Sequence, residues 1–334
     1  MSKRLHPAEV LFAGEKPFPV MPAVDHYAGS EKLMNKALAL QADLGAIFDV
    51  TLDCEDGAPA GREAQHAVMC AEIAMSAANR HGRVGARIHD ATHPHWERDL
   101  EILVAGAGTR LAFITLPKPR SAADAARQID ALMRIESRHR IADPIPVHVL
   151  IETHGALREA WQIAALPRVE SIDLGLMDFV SAHHGAVPAS AMKSPGQFEH
   201  PLIVRAKAEI AAAALGNGVV PTHNVTIELK DRGVVSSDAR RARLEFGFMR
   251  MWSIHPDQIV PIVEAMKPDE SEVDTAAEIL LSAQEADWGP IRHADKLHDR
   301  ASYRYFWEVL RRARATGMTL PADADHAFFP HSDD

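Results

Sequence analysis

The chain has only 2 cysteines in 334 residues, Cys54 and Cys70. That is too few for a disulfide framework, and both fall in segments expected to be core, so a reduced, cytoplasmic protein is the expectation. No apolar stretch approaches the ~18 residues that span a bilayer. The start, Met1-Ser2-Lys3-Arg4-Leu5-His6-Pro7, lacks the apolar centre of a secretion signal, so neither membrane insertion nor export is expected. Basic residues are outnumbered, 36 against 46, and the net charge is −10 with no basic run. A nucleic-acid surface is therefore excluded, and any anionic substrate must be met by individually placed cations. No glycine-rich dinucleotide loop follows the first apolar run, which weighs against an open, doubly wound nucleotide-binding sheet.

What is present is a repeated alternation of short apolar runs and amphipathic stretches. Apolar residues make up 47% and charged residues 25%, the composition of a globular protein with a sizeable core. Strand-like runs fall at 18–23, 46–52, 84–88, 111–116, 147–151, 171–176, 218–222 and 249–254. Most read as continuous apolar runs, as expected for strands covered on both faces. Between them, Ala64, Ala67, Val68, Ala71, Met75 and Ala78 keep a helical rhythm, Ser121 opens a capped helix, and a further helix is expected at 156–166. Eight such units predict an α/β fold, a (β/α)8 TIM barrel, over 1–265. A C-terminal helical extension, acting as a lid or reaching a neighbouring subunit, is expected over 266–320, and a flexible tail over 321–334.

In a barrel, reactive groups collect at the C-terminal ends of the strands. Here those ends carry Asp53, Glu55 and Asp56, then Arg87, Lys118, Glu152, Asp178, His223 with Asn224, and His255. Glu152 and Asp178 end consecutive apolar runs 26 residues apart, so their carboxylates should meet at one rim. Two carboxylates with room for water and substrate oxygens are the ligand set that Mg²⁺ favours. Arg87 suits a substrate carboxylate or a developing enolate oxygen, and Asp53 and Asp56 are placed to orient it or to order metal-bound water. His93-Pro94-His95 and His183-His184 look like zinc-binding fragments without a complete ligand set. Cys54 has no cationic neighbour in sequence to activate it.

Six of these segments, in order, resemble the citrate lyase β-subunit-like branch of the HpcH/HpaI aldolase family, which includes malyl-CoA and citramalyl-CoA lyases. Asp53-Cys54-Glu55-Asp56 is similar to the family's D-L-E-D, Arg87-Ile88-His89 to its R-I-N, and Leu116-Pro117-Lys118 to its P-K. Ile151-Glu152-Thr153 is similar to its I-E-T, Gly175-Leu176-Met177-Asp178 to its G-x-x-D, and Ile254-His255-Pro256-Asp257-Gln258 to its I-H-P-x-Q. The resemblance covers residues 18–315 and implies Mg²⁺ on Glu152 and Asp178 and reversible carbon–carbon cleavage of a β-hydroxy acyl thioester. The metal would hold a 2-oxo acid, with Arg87 and Lys118 on the substrate, and Arg87, Glu55 and Asp299 as the catalytic set. It also implies a homotrimer or hexamer in which Asp299, at the end of a segment similar to the family's G-K-x-x-D, reaches a neighbour's site.

The chain departs from that pattern at the mouth. Where the family's first strand begins with Ser-Arg and ends in V-P-G, this chain has 19–27, without an arginine and with Asp25-His26-Tyr27 as an apparent insertion. His89 stands for an asparagine, Thr222-His223-Asn224 replaces a segment that often ends in Asp, and His183-His184 follows Asp178. The altered first strand keeps open a CoA-independent aldolase acting on a 2-oxo-4-hydroxy acid. A non-catalytic subunit of a lyase complex is the remaining alternative, and the intact Glu152, Asp178 and Arg87 set weighs against it.

Overall fold

The computed structural model describes residues 5–12 and 18–329, and these form two compact units. One spans Pro22–Met266; the other combines the chain up to Met21 with the chain from Lys267 onward. The N-terminal residues thus group with the C-terminal extension rather than with the barrel, where the sequence reading had placed them.

The larger unit is a closed barrel of eight parallel strands in sequential order: β1 Val24–Ala28, β2 Phe48–Asp53, β3 Val84–Arg87, β4 Leu111–Leu116, β5 Val147–Ile151, β6 Val169–Leu174, β7 Val220–His223 and β8 Arg250–Ser253, with β8 pairing back to β1. A closed sheet has an inside and an outside, and strand residues alternate between them. Val24, Val50, Val84, Ile114, Val149 and Met251 face out and form one apolar layer with Met34, Leu38, Leu103, Leu132, Ile210 and Ile262 of the surrounding helices. The inward positions mix polar and charged groups with Phe113, Leu150 and Trp252. Thr51 Oγ1 donates to Asp25 Oδ1 at 2.6 Å, and Trp252 Nε1 donates to Asp173 Oδ2 at 2.9 Å. Arg250 Nη2 pairs with Asp49 Oδ2 at 2.5 Å.

This alternation corrects the first strand, which lies at Val24–Ala28 and not at 18–23. The apolar stretch 18–23 holds Pro19 and Pro22, which have no N–H for a sheet ladder. The Pro22 carbonyl instead accepts a hydrogen bond from Arg250 Nε at 2.7 Å. Asp25-His26-Tyr27, which reads as an insertion, is the strand itself: Asp25 and Tyr27 face the polar lumen, and His26 is buried on the outer face against Phe48, with its Nδ1 2.7 Å from Ser253 Oγ. The helix expected at 156–166 is broken into His154–Arg158 and Ala160–Ala164.

In the other unit, helices Pro7–Leu11, Glu270–Glu285, Arg300–Ala315 and Ala322–Phe328 enclose a core of Leu11, Leu280, Tyr303, Trp307, Leu310 and Phe328. A short hairpin, β9 Ile291–His293 with β10 Lys296–His298, joins the two long helices. The segment expected as a flexible tail from 321 is a helix over Ala322–Phe328, anchored by buried Ala324 and Phe328; residues 330–334 of that expectation lie outside the described residues. Among the described residues, no helix is long and apolar enough to cross a membrane.

Arg250 is fully buried, and with Arg83, 3.1 Å from Asp49, it neutralises the charge at the base of the lumen. Arg250→Met is expected to cost about 3–5 kcal/mol, because it leaves Asp49 buried with only the partly exposed Arg83. Adding Asp49→Leu should return part of that loss; denaturant unfolding of the single and double variants checks it, and equal loss in both would contradict the pairing.

Candidate active site

At the end of β2 the chain turns back on the Asp53 carboxylate. The Glu55 backbone N–H donates to Oδ1 at 3.1 Å, and the Gly57 N–H donates to Oδ2. Gly57 is required here, since a Cβ on it would lie 2.5 Å from the Gly29 carbonyl oxygen. The turn aims three carboxylates at Arg87, the last residue of β3. Arg87 Nε meets Asp53 Oδ1 at 2.7 Å, Nη1 meets Glu55 Oε2 at 3.1 Å, and Nη2 meets Asp56 Oδ2 at 2.9 Å. Nη2 also donates to the Tyr27 hydroxyl at 3.2 Å, and the guanidinium lies over the Tyr27 ring at 5.0 Å. The Tyr27 hydroxyl in turn donates to Asp53 Oδ2. Burial presses the Asp53 pKa up, but the Arg87 charge and hydrogen bond outweigh it and hold Asp53 ionised below the usual range.

Lys118 follows β4 in a left-handed conformation, φ 49°, which turns its amine toward the same group. Its Nζ lies 3.0 Å from Glu55 Oε1, 3.8 Å from Asp56 and 3.7 Å from Asp178. Lys118 therefore ties the β2 cluster to the acid that follows β6. Burial pushes the Glu55 carboxyl upward, partly countered by Arg87 and Lys118.

Glu152 directly follows β5 and is 2% exposed, and its Oε1 has no hydrogen-bond partner. Gly175, after β6, makes room for it: a Cβ there would stand 2.4 Å from Glu152 Cγ. Asp178 sits in the first turn of the helix Leu176–Ser181, a little beyond the strand end where the sequence placed it. Burial and then the Asp178 charge drive the Glu152 pKa well up. Arg87, Asp56, Glu152 and Asp178 line one cavity of ≈ 210 Å³, closed on other sides by Tyr27, Asn224, Trp252 and Ile254. A buried, partnerless carboxylate oxygen beside a second carboxylate fits a divalent cation with oxygen ligands, and Mg²⁺ suits that donor set.

The structure thus brings Arg87, Lys118, Glu152, Asp178, Glu55, Asp53 and Asp56 together: Arg87, Asp56, Glu152 and Asp178 line the cavity, and Lys118, Glu55 and Asp53 contact these lining residues. Asp299 belongs to the other unit, where its exposed carboxylate caps the helix Arg300–Ala315 through the Ala301 N–H at 3.0 Å. His255 Nδ1 accepts from the Asp257 N–H at 3.2 Å, at the start of the helix Pro256–Met266. His183 Nδ1 donates to the Phe179 carbonyl at 2.7 Å. Neither histidine run assembles three ligating atoms among the described residues.

His223 faces away from the cavity onto the buried Lys207. Its Nδ1 lies 2.9 Å from the Asn224 carbonyl oxygen and must donate there, which leaves Nε2 as an acceptor for Lys207 Nζ. Asn224 Oδ1 at 2.7 Å and Gln197 Oε1 at 3.3 Å complete three acceptors around the amine. Burial drives the Lys207 pKa well down, with the Asp238 charge opposing it. The acceptor set nonetheless fits an ammonium, which fixes the Asn224 side chain in the cavity wall. Sequence reasoning missed Trp252 and Lys207, and it gave no role to Tyr27 or to Gly175 beyond its place in the G-x-x-D segment; for Tyr27 the available signal was its spacing of two from Asp25.

Two outcomes test this geometry. Gly175→Ala should push Glu152 aside and weaken Mg²⁺ binding at least tenfold by calorimetry while the far-ultraviolet spectrum stays unchanged. Unchanged affinity would show that Gly175 does not shape the site. His89 Nδ1 lies 2.5 Å from Asp99 Oδ2; burial pushes its pKa down, but that hydrogen bond and charge win and raise it. The resulting stability is present below the ordinary histidine value of about 6.5 and is lost as pH rises through the raised folded value. Unfolding free energy should fall over that rise in the wild type, and His89→Gln should remove this slope.

Known proteins share this architecture. A solved citrate lyase structure from Burkholderia xenovorans is 57% identical, with a TM-score of 0.84 over 97% of this chain and 100% of that one. The L-malyl-CoA/β-methylmalyl-CoA lyase of Cereibacter sphaeroides is 29% identical over 295 residues, 84% of this chain and 90% of the relative. The Mycobacterium tuberculosis protein CitE, solved with magnesium, acetoacetate and coenzyme A, shares the fold at 21% identity, with a TM-score of 0.66 over 88% of this chain and 98% of that one. The HpcH/HpaI aldolase/citrate lyase model matches residues 28–256, so this chain belongs to the HpcH/HpaI aldolase/citrate lyase family.

Proposed function

We propose that this chain is a Mg²⁺-dependent carbon–carbon lyase of the citrate lyase β/malyl-CoA lyase type, cleaving a β-hydroxy acyl thioester reversibly into an acyl-CoA and a 2-oxo acid. The observation that carries this reading is the partnerless Glu152 Oε1 beside Asp178, in a cavity that also holds the Arg87 guanidinium. The names of the relatives support it: they are lyases of malyl-CoA esters and of citrate, and one structure holds magnesium with coenzyme A.

In cleavage the substrate hydroxyl loses its proton and becomes the carbonyl of the 2-oxo acid. The electron pair of the broken bond passes to the thioester as an enolate, which then takes a proton at carbon. Mg²⁺ held by Glu152 and Asp178 supplies Lewis-acid polarisation of the oxo-acid oxygens. Arg87 holds the enolate oxygen, with Asp53 keeping the guanidinium fixed and Asp56, half-exposed, as the contact that substrate can replace. Lys118 binds a substrate carboxylate, and Glu55, raised by burial, is suited to hold or move the proton. We infer a homotrimer or hexamer in which the exposed Asp299 completes a neighbour's site. Two free, buried cysteines suit a reducing cytoplasm.

Glu152→Gln and Asp178→Asn should each abolish Mg²⁺-dependent cleavage of malyl-CoA and citramalyl-CoA, with the fold retained. Arg87→Lys should lower kcat about 10²–10³-fold, because an ammonium cannot keep the forked contacts. Full activity of both carboxylate variants in chelator would overturn the reading. The altered first strand favours the CoA-free aldolase as the second reading; thermal stabilisation by pyruvate with Mg²⁺ but not by coenzyme A would select it.

A further inference from the structure

The lumen beneath the cavity holds a second group of ligating side chains that the proposed reaction does not use. Asp25 of β1, His148 of β5 and Asp173 of β6 are all fully buried, and one ligand atom from each lies within 4.8 Å of the others. Asp25 Oδ2 has no hydrogen-bond partner, nor has either ring nitrogen of His148. The His148 nitrogens stand 3.9 Å from Asp25 Oδ2 and 3.9 Å from Glu170 Oε2, beyond hydrogen-bond range. An orphaned imidazole and an orphaned carboxylate oxygen facing one another in a closed core are costly unless something lies between them.

The two carboxylates are also held by protein donors. Asp25 Oδ1 accepts from Thr51 at 2.6 Å; Asp173 accepts from Ser171 and, at 2.9 Å, from Trp252 Nε1. The Phe113 ring stacks on His148 at 4.0 Å and fixes its plane. Asp25 thus keeps one oxygen free behind an outer contact, as metal ligands characteristically do, whereas Asp173 would share one of its two hydrogen-bonded oxygens with the ion. The charges agree. Four carboxylates, Asp25, Asp49, Asp173 and Glu170, lie around His148 and the two guanidiniums of Arg250 and Arg83, and burial pushes the Asp49 and Asp173 carboxyls upward, as expected of acids short of positive charge. Arg250 reaches Asp25 Oδ2 only at 3.9 Å, so that oxygen is not satisfied by it.

We propose that Asp25, His148 and Asp173 form a buried structural site for one first-row divalent ion of the zinc class, separate from the Mg²⁺ site at the rim. One imidazole and two carboxylates suit such an ion better than Mg²⁺, which favours an all-oxygen set. Ligands about 2.0–2.2 Å from a tetrahedral ion stand roughly 3.5 Å apart, so atoms within 4.8 Å of one another need close by no more than about 1.3 Å. Leu150 separates His148 from Glu152 along the inner face of β5, and Trp252 lies between Asp173 and the cavity, so the ion would be trapped at folding and slow to leave.

The test is metal analysis of the whole protein expressed with Zn²⁺ available. About one zinc-class ion per chain should survive dialysis against a chelator that removes Mg²⁺, and it should persist in the Glu152→Gln/Asp178→Asn double variant. Asp173→Asn and His148→Gln should lose it. Because those variants could fail to fold, wild-type protein is also refolded with Zn²⁺ or with chelator, and Zn²⁺ should raise the unfolding midpoint by roughly 5 °C. A wild-type protein without transition metal, whose midpoint Zn²⁺ does not move, overturns the site; His148 would then carry a proton between Asp25 and Glu170. Loss of the ion in the double variant would place it at the rim and overturn the proposal equally.

Discussion

A closed barrel must fill its own lumen, and this chain fills it with charge. Side chains inside eight paired strands cannot reach bulk water, so every carboxylate placed there needs a matched partner or carries a large desolvation cost. Arg250 on β8 matches Asp49 on β2 at the base, reaching past β1, and Arg87 on β3 matches Asp53 on the neighbouring β2 at the top. These pairings fix which residue of each strand faces inward, because a slip of one position would send the charges into the apolar layer that Val50, Leu52 and Val84 share with the helices. Register, barrel closure and the aim of the rim residues therefore follow from one electrostatic demand.

The same demand separates the rim from the layers below. Asp53 receives Arg87, Tyr27 and two backbone N–H groups, and stays ionised despite its burial. Glu152 receives no hydrogen bond at Oε1, and its pKa is driven upward. The contrast is functional. A carboxylate saturated with protein donors has no capacity left for a cation, whereas an unsaturated one beside another acid has a strong preference for one. Gly175 makes this possible at small structural expense, since the missing Cβ is what lets Glu152 sit buried without a clash.

The eight-unit barrel and its rim were legible because strand ends and apolar helix faces are local patterns. Glu152, Asp178 and Arg87 could be found by counting from the end of an apolar run. The first strand was not legible, because Asp25, His26 and Tyr27 look hydrophilic: a closed lumen takes in Asp25 and Tyr27, and His26 is buried under the helices beside Phe48 and Ser253. The final helix failed for the opposite reason: Ala322–Phe328 is polar and acidic in composition, and its two anchors, Ala324 and Phe328, matter only once a core exists to receive them. Trp252 and Lys207 act through residues distant in sequence, so no spacing rule reaches them, and the G-x-x-D spacing marks Gly175 without showing that it makes room for Glu152.

Arg87 shows how a structural charge can also serve chemistry. A guanidinium held only by buried carboxylates would be fully neutralised and would have little field to offer a substrate. Here the partners are graded: Asp53 is buried, Glu55 nearly so, and the Asp56 side chain is 59% exposed. Asp53 fixes the orientation, while Asp56 meets water and can give up its contact when a substrate oxygen arrives. Lys118 is shared among Glu55, Asp56 and Asp178, so a movement of Asp56 is felt at the carboxylate beside Glu152. On the proposed function, substrate binding at the cation and metal binding at the acids would be linked through a single lysine, and each should strengthen the other.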